Sequence, residues 1–336
     1  MKNNEQKILL GHGSGGKLMG ELIHDEIVSI LGRDAIQLDD SAILEIPVDK
    51  IAFTTDSYTI TPIFFNGGDI GSLAVNGTVN DLAVMGAKPK FISCGLIIEE
   101  GFEIDSLRKI LQSMKQAADR AEVKIVTGDT KVVDSGKADK IFINTAGIGL
   151  FEHPVMRSNI EIGDKIIVNG SIGDHGITIM AQRNELNFSS DLKSDCASLN
   201  RLIDTTLSEY PDSIRFMRDA TRGGIASVLN ELVTDADFAV KLIEKDLPIR
   251  PETESICDIL GLDPLYTANE GKLIMIVKGE EAESIVEKMK TVEEGRDAAV
   301  IGEISSDFPG RVYVETLIKG RRMVPLLLED QLPRIC

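Results

Sequence analysis

The chain has 336 residues, 43% of them hydrophobic and 27% charged, and its 36 basic against 54 acidic side chains give a net charge of −18. That length suits about two domains with real hydrophobic cores, and the composition excludes a disordered or collagen-like chain. The acidic balance excludes a general nucleic-acid binder, which needs a basic face against the phosphates.

No run of 18 apolar residues offers a membrane helix, and the start, Met1 to Lys7, lacks the apolar stretch of a signal peptide. A cytoplasmic protein with no membrane partner is expected. The cysteines Cys94, Cys196, Cys257 and Cys336 lie far apart, with no C-x-x-C pair. That spacing argues against a disulfide framework and against a zinc site.

In chain order, the first feature is Gly11-His12-Gly13-Ser14-Gly15-Gly16-Lys17. It fits G-x-G-x-x-G at Gly11, Gly13 and Gly16, with Asp39 and Asp40 roughly 20 residues on. It also fits the start of a phosphate loop at Gly11, Gly16 and Lys17, although Leu18 replaces the hydroxyl that would hold magnesium. Only residues 8–10 could supply the strand that a dinucleotide fold needs. Both patterns share a loop rich in backbone N–H groups beside a lysine, able to approach phosphates closely.

Strands are predicted over 42–46 and 50–54 around a turn at 47–49. A helix over 68–85 follows, with Ile70, Leu73, Ala74, Leu82 and Met85 on its period and Gly86 and Pro89 as stops. The pattern continues with a strand over 91–98, an amphipathic helix over 104–121, and strands over 124–127 and 140–150. A polar connector near 155 separates a second set: a strand over 165–169, helices from 178, over 196–208 and over 225–233, strands over 238–243 and 273–277, and a helix over 280–289. The stretch 320–336, with Pro325 and Pro333, reads as a tail. Adjacent strand pairs outnumber strict βαβ alternation, so the class is α+β with mixed sheets.

Four acidic sites sit beside element ends: Asp39-Asp40, Thr55-Asp56-Ser57, Asn80-Asp81 and Gly128-Asp129-Thr130-Lys131. Carboxylates there can converge on one point. Clustered acids repel unless a cation joins them, and magnesium takes one or two carboxylates plus substrate phosphates. A metal–nucleotide site is expected. In the second half, Gly170-Ser171-Ile172-Gly173-Asp174-His175-Gly176 and Arg218-Asp219-Ala220-Thr221-Arg222-Gly223-Gly224 each precede a helix, and Asn269-Glu270-Gly271 precedes a strand.

Together, Asp40-Ser41-Ala42, Thr54 to Ser57, Asn80 to Ala87, Gly128-Asp129-Thr130 and Asp219 to Gly224 resemble the aminoimidazole ribonucleotide (AIR) synthetase, or PurM-like, superfamily, in family order over nearly the whole chain. Within it, the glycine-rich start, Gly128 to Val133, Gly173 to Gly176 and the ending Pro333-Arg334-Ile335-Cys336 resemble the HypE family of hydrogenase maturation. The resemblance implies a two-domain fold: a glycine-rich segment over 1–40, an ATP-binding and dimerisation domain over 41–155, an αβ domain over 156–319 and a flexible tail over 320–336. It implies N-terminal sheets that meet as a barrel across a homodimer.

It further implies that ATP and Mg2+ bind through Asp40, Asp56, Asp81 and Asp129, helped by Asn80 and by a loop of Gly13, Gly15, Gly16 and Lys17. Cys336 would be the carrier thiol, loaded with a carbamoyl group by the carbamoyltransferase HypF. ATP-driven dehydration would then give a thiocyanate, whose cyanide goes to iron on a HypC–HypD scaffold. Glu270 and Lys131 are the candidates for proton removal and for orienting the amide. From residue 325 the tail could span about 40 Å when extended. The alternatives are a selenophosphate- or AIR-type synthetase, or an assembly module without catalysis. The glycine-rich loop has no cysteine for the first, and the second has no use for a terminal thiol.

Overall fold

A computed structural model of the chain describes residues 7–13, 17–32, 44, 49–151, 155, 159–184, 192–327 and 335. The chain opens with a 3-10 turn, Leu10–Gly13, and a helical stretch of α1 (Lys17–Glu21), a π-helical run Leu22–Val28 and α2 (Ser29–Leu31). Then come β1 (Ile51–Tyr58), the short pair β2 (Phe64–Phe65) and β3 (Gly68–Asp69), α3 (Ile70–Val84), β4 (Ala87–Glu99), α4 (Ile104–Arg120), β5 (Lys124–Val133) and β6 (Ile141–Phe151).

Asp69 starts α3 because its carboxylate accepts from the amides of Gly71 and Ser72, while the Ser72 hydroxyl accepts from the Asp69 amide. This capping box satisfies donors that have no partner inside the helix. Nearly every residue of α3 is buried, as expected for a helix wedged between other layers rather than lying on a surface. At Gly71 the helix comes so close to α4 that a Cβ would lie 2.5 Å from the Ile110 carbonyl oxygen.

The first sheet has the order β1-β6-β4-β5, antiparallel except for β4 and β5. The strand period of two sends alternate side chains to opposite faces. One face, with Ile92, Leu96, Ile98, Ile141 and Ile143, packs under α3 and α4. The opposite face carries Phe53, 67% exposed, with Ile51 and Ile97 also exposed.

The second domain runs β7 (Lys165–Val168), α5 (Asp174–Arg183), α6 (Asn200–Leu207), β8 (Ile214–Asp219), α7 (Gly224–Val233), β9 (Ala239–Ile243), α8 (Pro251–Leu260), β10 (Leu273–Val277), α9 (Ala282–Met289), β11 (Ala299–Ser305), β12 (Val312–Glu315) and β13 (Arg321–Met323). Its seven-stranded sheet has the order β13-β12-β9-β11-β7-β10-β8. Ile274 and Ile276 face a core with α7, while Leu273, Met275 and Val277 face another with α6 and α9. Every residue of β10 is therefore buried, the run expected of a strand covered on both faces. Among the described residues no helix is long and apolar enough to cross a membrane.

Several elements escaped the sequence reading. The strands β8, β11, β12 and β13 and the helix α8 had no counterpart in it, and most of the predicted strand at 42–46 lies outside the described residues. The first residues of the expected tail are part of the second sheet. Arg321–Met323 pair with β12, Val324 is buried, and the Tyr266 hydroxyl donates to the Pro325 carbonyl at 2.7 Å.

Gly71→Ala should destabilise the protein by about 1–3 kcal/mol through overpacking at the α3–α4 contact. Urea unfolding would read this as a lower midpoint with an unchanged slope. An unchanged midpoint would mean that the two helices have room to part.

Candidate active site

The two domains meet along a cleft lined by β1 and α3 on one side and by β8 and the segment before β10 on the other. The inward face of β1 delivers Thr54, Asp56 and Tyr58, and α3 delivers Asp81. Thr54 Oγ1 donates to Asp81 at 2.7 Å, and the Tyr58 hydroxyl donates to Asp56 at 3.2 Å. The hydroxyl end of Tyr58 can close on α3 because position 77 is glycine. A Cβ there would stand 2.3 Å from the tyrosine oxygen. Across the cleft are Asp219, at the end of β8, and Glu270.

These carboxylates crowd one another. Burial, with the Asp56 carboxylate close enough to share a hydrogen bond, pushes Asp81 up to about 6. Burial, then the charges of Asp81 and Asp56, pushes Asp219 up to about 7. Tyr58 is raised well above the usual phenol range, first by burial and then by Asp56. Among the described residues no three His, Cys, Asp or Glu side chains close into a metal cage. The pair Asp56 and Asp81 nevertheless matches what magnesium takes from a protein, one or two carboxylates beside phosphate oxygens. Repelling charges of this kind are relieved by a cation.

A strap without regular secondary structure, residues 192–199, runs between the domains. The Asn80 side chain holds it from the first domain: Nδ2 donates to the Ala197 carbonyl at 3.0 Å, and Oδ1 accepts from the Leu199 amide at 2.7 Å. From the second domain, Asp195 accepts from the Glu270 amide at 3.0 Å and pairs with Lys272 at 3.0 Å. Burial acts to raise Asp195, but the Lys272 ammonium beside it leads the influences that outweigh burial and hold the carboxyl below its usual range. So Asn80, expected to bind the cofactor, spends its side chain on the strap.

The predicted residues fall into two groups. Asp56, Asp81 and Glu270 line the cleft together. Asp129 and Lys131 do not join them. They lie on β5, exposed and paired with each other at 3.2 Å. Ser57, Asn144, Gly95 and Asp129 form one line across the sheet, which puts Asp129 three strand spacings, roughly 14 Å, from β1. The turn Leu10–Gly13 packs on the same strand, β5. Lys17 is exposed and pairs with Glu21. Among the described residues, Asp129 therefore does not converge with Asp56 and Asp81 within one chain. Gly15, Gly16, Asp40 and Cys336 lie outside the described residues. Ile335, the residue before Cys336, is buried in the first domain's core cluster.

Asp219 was missed as a member of the cleft, although it stands in a singled-out motif. Asp195 carried no sequence signal, since its partners are distant in the chain.

The AIR synthase related protein N-terminal domain matches residues 38–151, and the C-terminal domain of the same name matches residues 161–315. A carbamoyl dehydratase HypE of Azotobacter vinelandii is 46% identical over 328 residues, covering 97% of this chain and 96% of its own. A crystal structure of hydrogenase maturation protein HypE in complex with ATP superposes with a TM-score of 0.93 at 44% identity, covering 98% of this chain and 99% of that one. A crystal structure of a HypE–HypF complex gives a TM-score of 0.79 at 42% identity, covering 93% and 100%.

The acid cleft has a pH signature. A carboxyl raised in the folded state takes its proton before the unfolded chain does, so it costs stability once ionised, and stability returns as pH falls from about 7 toward 4. In metal-free buffer, Asp219→Asn should raise the melting temperature by a few degrees at pH 8 and by clearly less at pH 5, the two proteins converging near pH 4. Equal shifts at both values would show that Asp219 carries no such burden.

Proposed function

Because the chain belongs to the AIR synthase related family and, within it, to the HypE carbamoyl dehydratases, we propose a division of labour among its own residues. The protein is an ATP-dependent carbamoyl dehydratase of hydrogenase maturation. It converts an S-carboxamide on a cysteine to a thiocyanate, with ATP going to ADP and phosphate. Hydroxide is a poor leaving group. Transfer of the γ-phosphoryl group to the carboxamide oxygen lets that oxygen leave as phosphate, and two protons must be removed from the nitrogen.

The observation that supports Cys336 as the carrier is the burial of Ile335, 1% exposed, beside the strap that also holds Glu270. Glu270 takes a proton from the amide nitrogen. It is 3% exposed and lines the acid cleft. Asp56 and Asp81, with Asp219 beside them, would hold magnesium. When bound, that ion neutralises charge developing on the phosphates.

Asp129, Lys131 and the turn at Gly13 form a second half-site on the far edge of the first sheet. Two chains that pack their exposed sheet faces together would bring one chain's acid cleft to the other's β5 edge. The apolar patch around Phe53 supports such a homodimer, since patches of this kind mark contact surfaces. Lys131 then orients phosphate or amide from the partner subunit. HypF loads the thiol, and a HypC–HypD scaffold receives the cyanide.

Intact-protein mass spectrometry tests the reaction. After incubation with the carbamoyltransferase and its substrates, the chain should gain one carbamoyl group, then lose one water on addition of Mg-ATP. Cys336→Ala should do neither. Glu270→Gln should load normally and dehydrate about 10²–10⁴-fold more slowly, and a normal rate removes Glu270 as the base. A carbamoyl group that survives Mg-ATP in the wild type would point to an assembly module. For the dimer, Phe53→Asp should shift the sedimentation coefficient to that of a monomer and abolish dehydration. An unchanged assembly would put the interface elsewhere.

A further inference from the structure

His175 has no task in the reaction above, yet its surroundings are the most constrained of any described histidine. It sits in the first turn of α5, fully buried. Its ring meets Phe65 edge-on, 5.5 Å between centroids and 89° between planes. Nδ1 lies 2.8 Å from Ser194 Oγ, and Nε2 lies 2.8 Å from the carbonyl oxygen of Ile335.

These contacts fix the tautomer. A carbonyl oxygen can only accept, so Nε2 carries the hydrogen. In a neutral ring Nδ1 is then an acceptor, and the Ser194 hydroxyl donates to it. The same hydroxyl oxygen is left to accept from the Cys196 amide at 3.1 Å. Every group is satisfied with one hydrogen in each place. Burial pushes the imidazole below its usual range, with Asp195 acting the other way, which agrees with a neutral ring.

The Ile335 carbonyl belongs to the peptide bond that leads into Cys336. Residues so near the end of a sequence are usually loosely held, but this side chain is seated in a core and its carbonyl is gripped by a ring with a single allowed tautomer. The strap that carries Ser194 also carries Asp195, the acceptor for the Glu270 amide. We propose that His175 is a positioning residue: it catches the Ile335 carbonyl and so sets where the Cys336 thiol is presented to the cleft. This rests on Cys336 being the carrier. Among the described residues, one hydrogen bond and the Ile335 seat hold this stretch, a grip that a loading partner can undo.

Three full-length variants test it. His175→Leu keeps bulk and removes the donor. His175→Gln keeps an amide N–H near the place of Nε2–H. Ser194→Ala removes the partner that fixes the tautomer. Two readouts are followed: the rate at which iodoacetamide alkylates Cys336, located by peptide mass, and the single-turnover dehydration rate after carbamoyl loading. A lost neutral hydrogen bond corresponds to about tenfold. His175→Leu should therefore alkylate about tenfold faster at Cys336 and dehydrate about tenfold more slowly, with loading unchanged. His175→Gln should return both toward wild type, and Ser194→Ala should move both the same way by less.

Wild-type rates in His175→Leu would overturn the proposal. So would a Gln variant as impaired as the Leu variant, because packing rather than the donor would then matter. If His175→Leu does not fold, Ser194→Ala carries the test, and an unchanged alkylation rate in it overturns the idea. If the loaded wild type never dehydrates while alkylation still follows His175, the dehydratase reading fails and the catch on the chain end stands.

Discussion

One buried amide holds the two domains to a common frame. Asn80 sits on α3, in the middle of the first domain, and both ends of its side chain are committed to the strap at Ala197 and Leu199. A shorter or apolar side chain would leave that backbone carbonyl and amide unpaired in a dry place, which costs more than the net worth of the bonds themselves. What hangs on the strap gives this pair its reach. Asp195 fixes the Glu270 backbone, and Ser194 fixes the His175 ring. A structural amide in one domain thereby sets the position of the Glu270 backbone and of the His175 ring in the other.

The cleft beside that frame is held in an unfavourable charge state. Asp56, Asp81 and Asp219 share it with Glu270, and the nearest cations do little to settle it. Arg218 lowers Asp81 and Asp219 only as a minor influence and is itself paired with Glu231. A site built to hold one carboxylate would surround it with donors. This one gathers acids, leaves them short of positive charge, and so favours a ligand that brings its own.

The fold was legible where patterns are local. The runs that became α4 and β4 carry a helical or strand period that their burial follows, and α3 and β10 are buried almost throughout because they are covered on more than one face. The strands at the end of the second domain were not legible, because β12 and β13 are short, β12 takes its burial from β9 and the facing core, and β13 is exposed at the sheet edge. The same divide runs through the site. Asp56, Asp81 and Glu270 stood out in acidic motifs and do share a cleft. Asp129 stood out equally and lies across the sheet, since a motif near a strand end gives no information on the face or the edge. Asn80 was read by its neighbour Asp81, although successive helix residues point about 100° apart and only one of them faces the cleft.

The wide spacing of β1 and β5 in one sheet has a consequence for how working sites are shared. Under the proposed pairing, each cleft takes its acids from one chain and its β5 edge from the other. A chain damaged only in its acids and a chain damaged only at its β5 edge are each inactive as a pure dimer. Mixed together, they form a pair in which one cleft inherits both faults and the other inherits none. Two dead proteins would then make one live site, and loss of function would follow the pairing of subunits rather than the sequence of any single one.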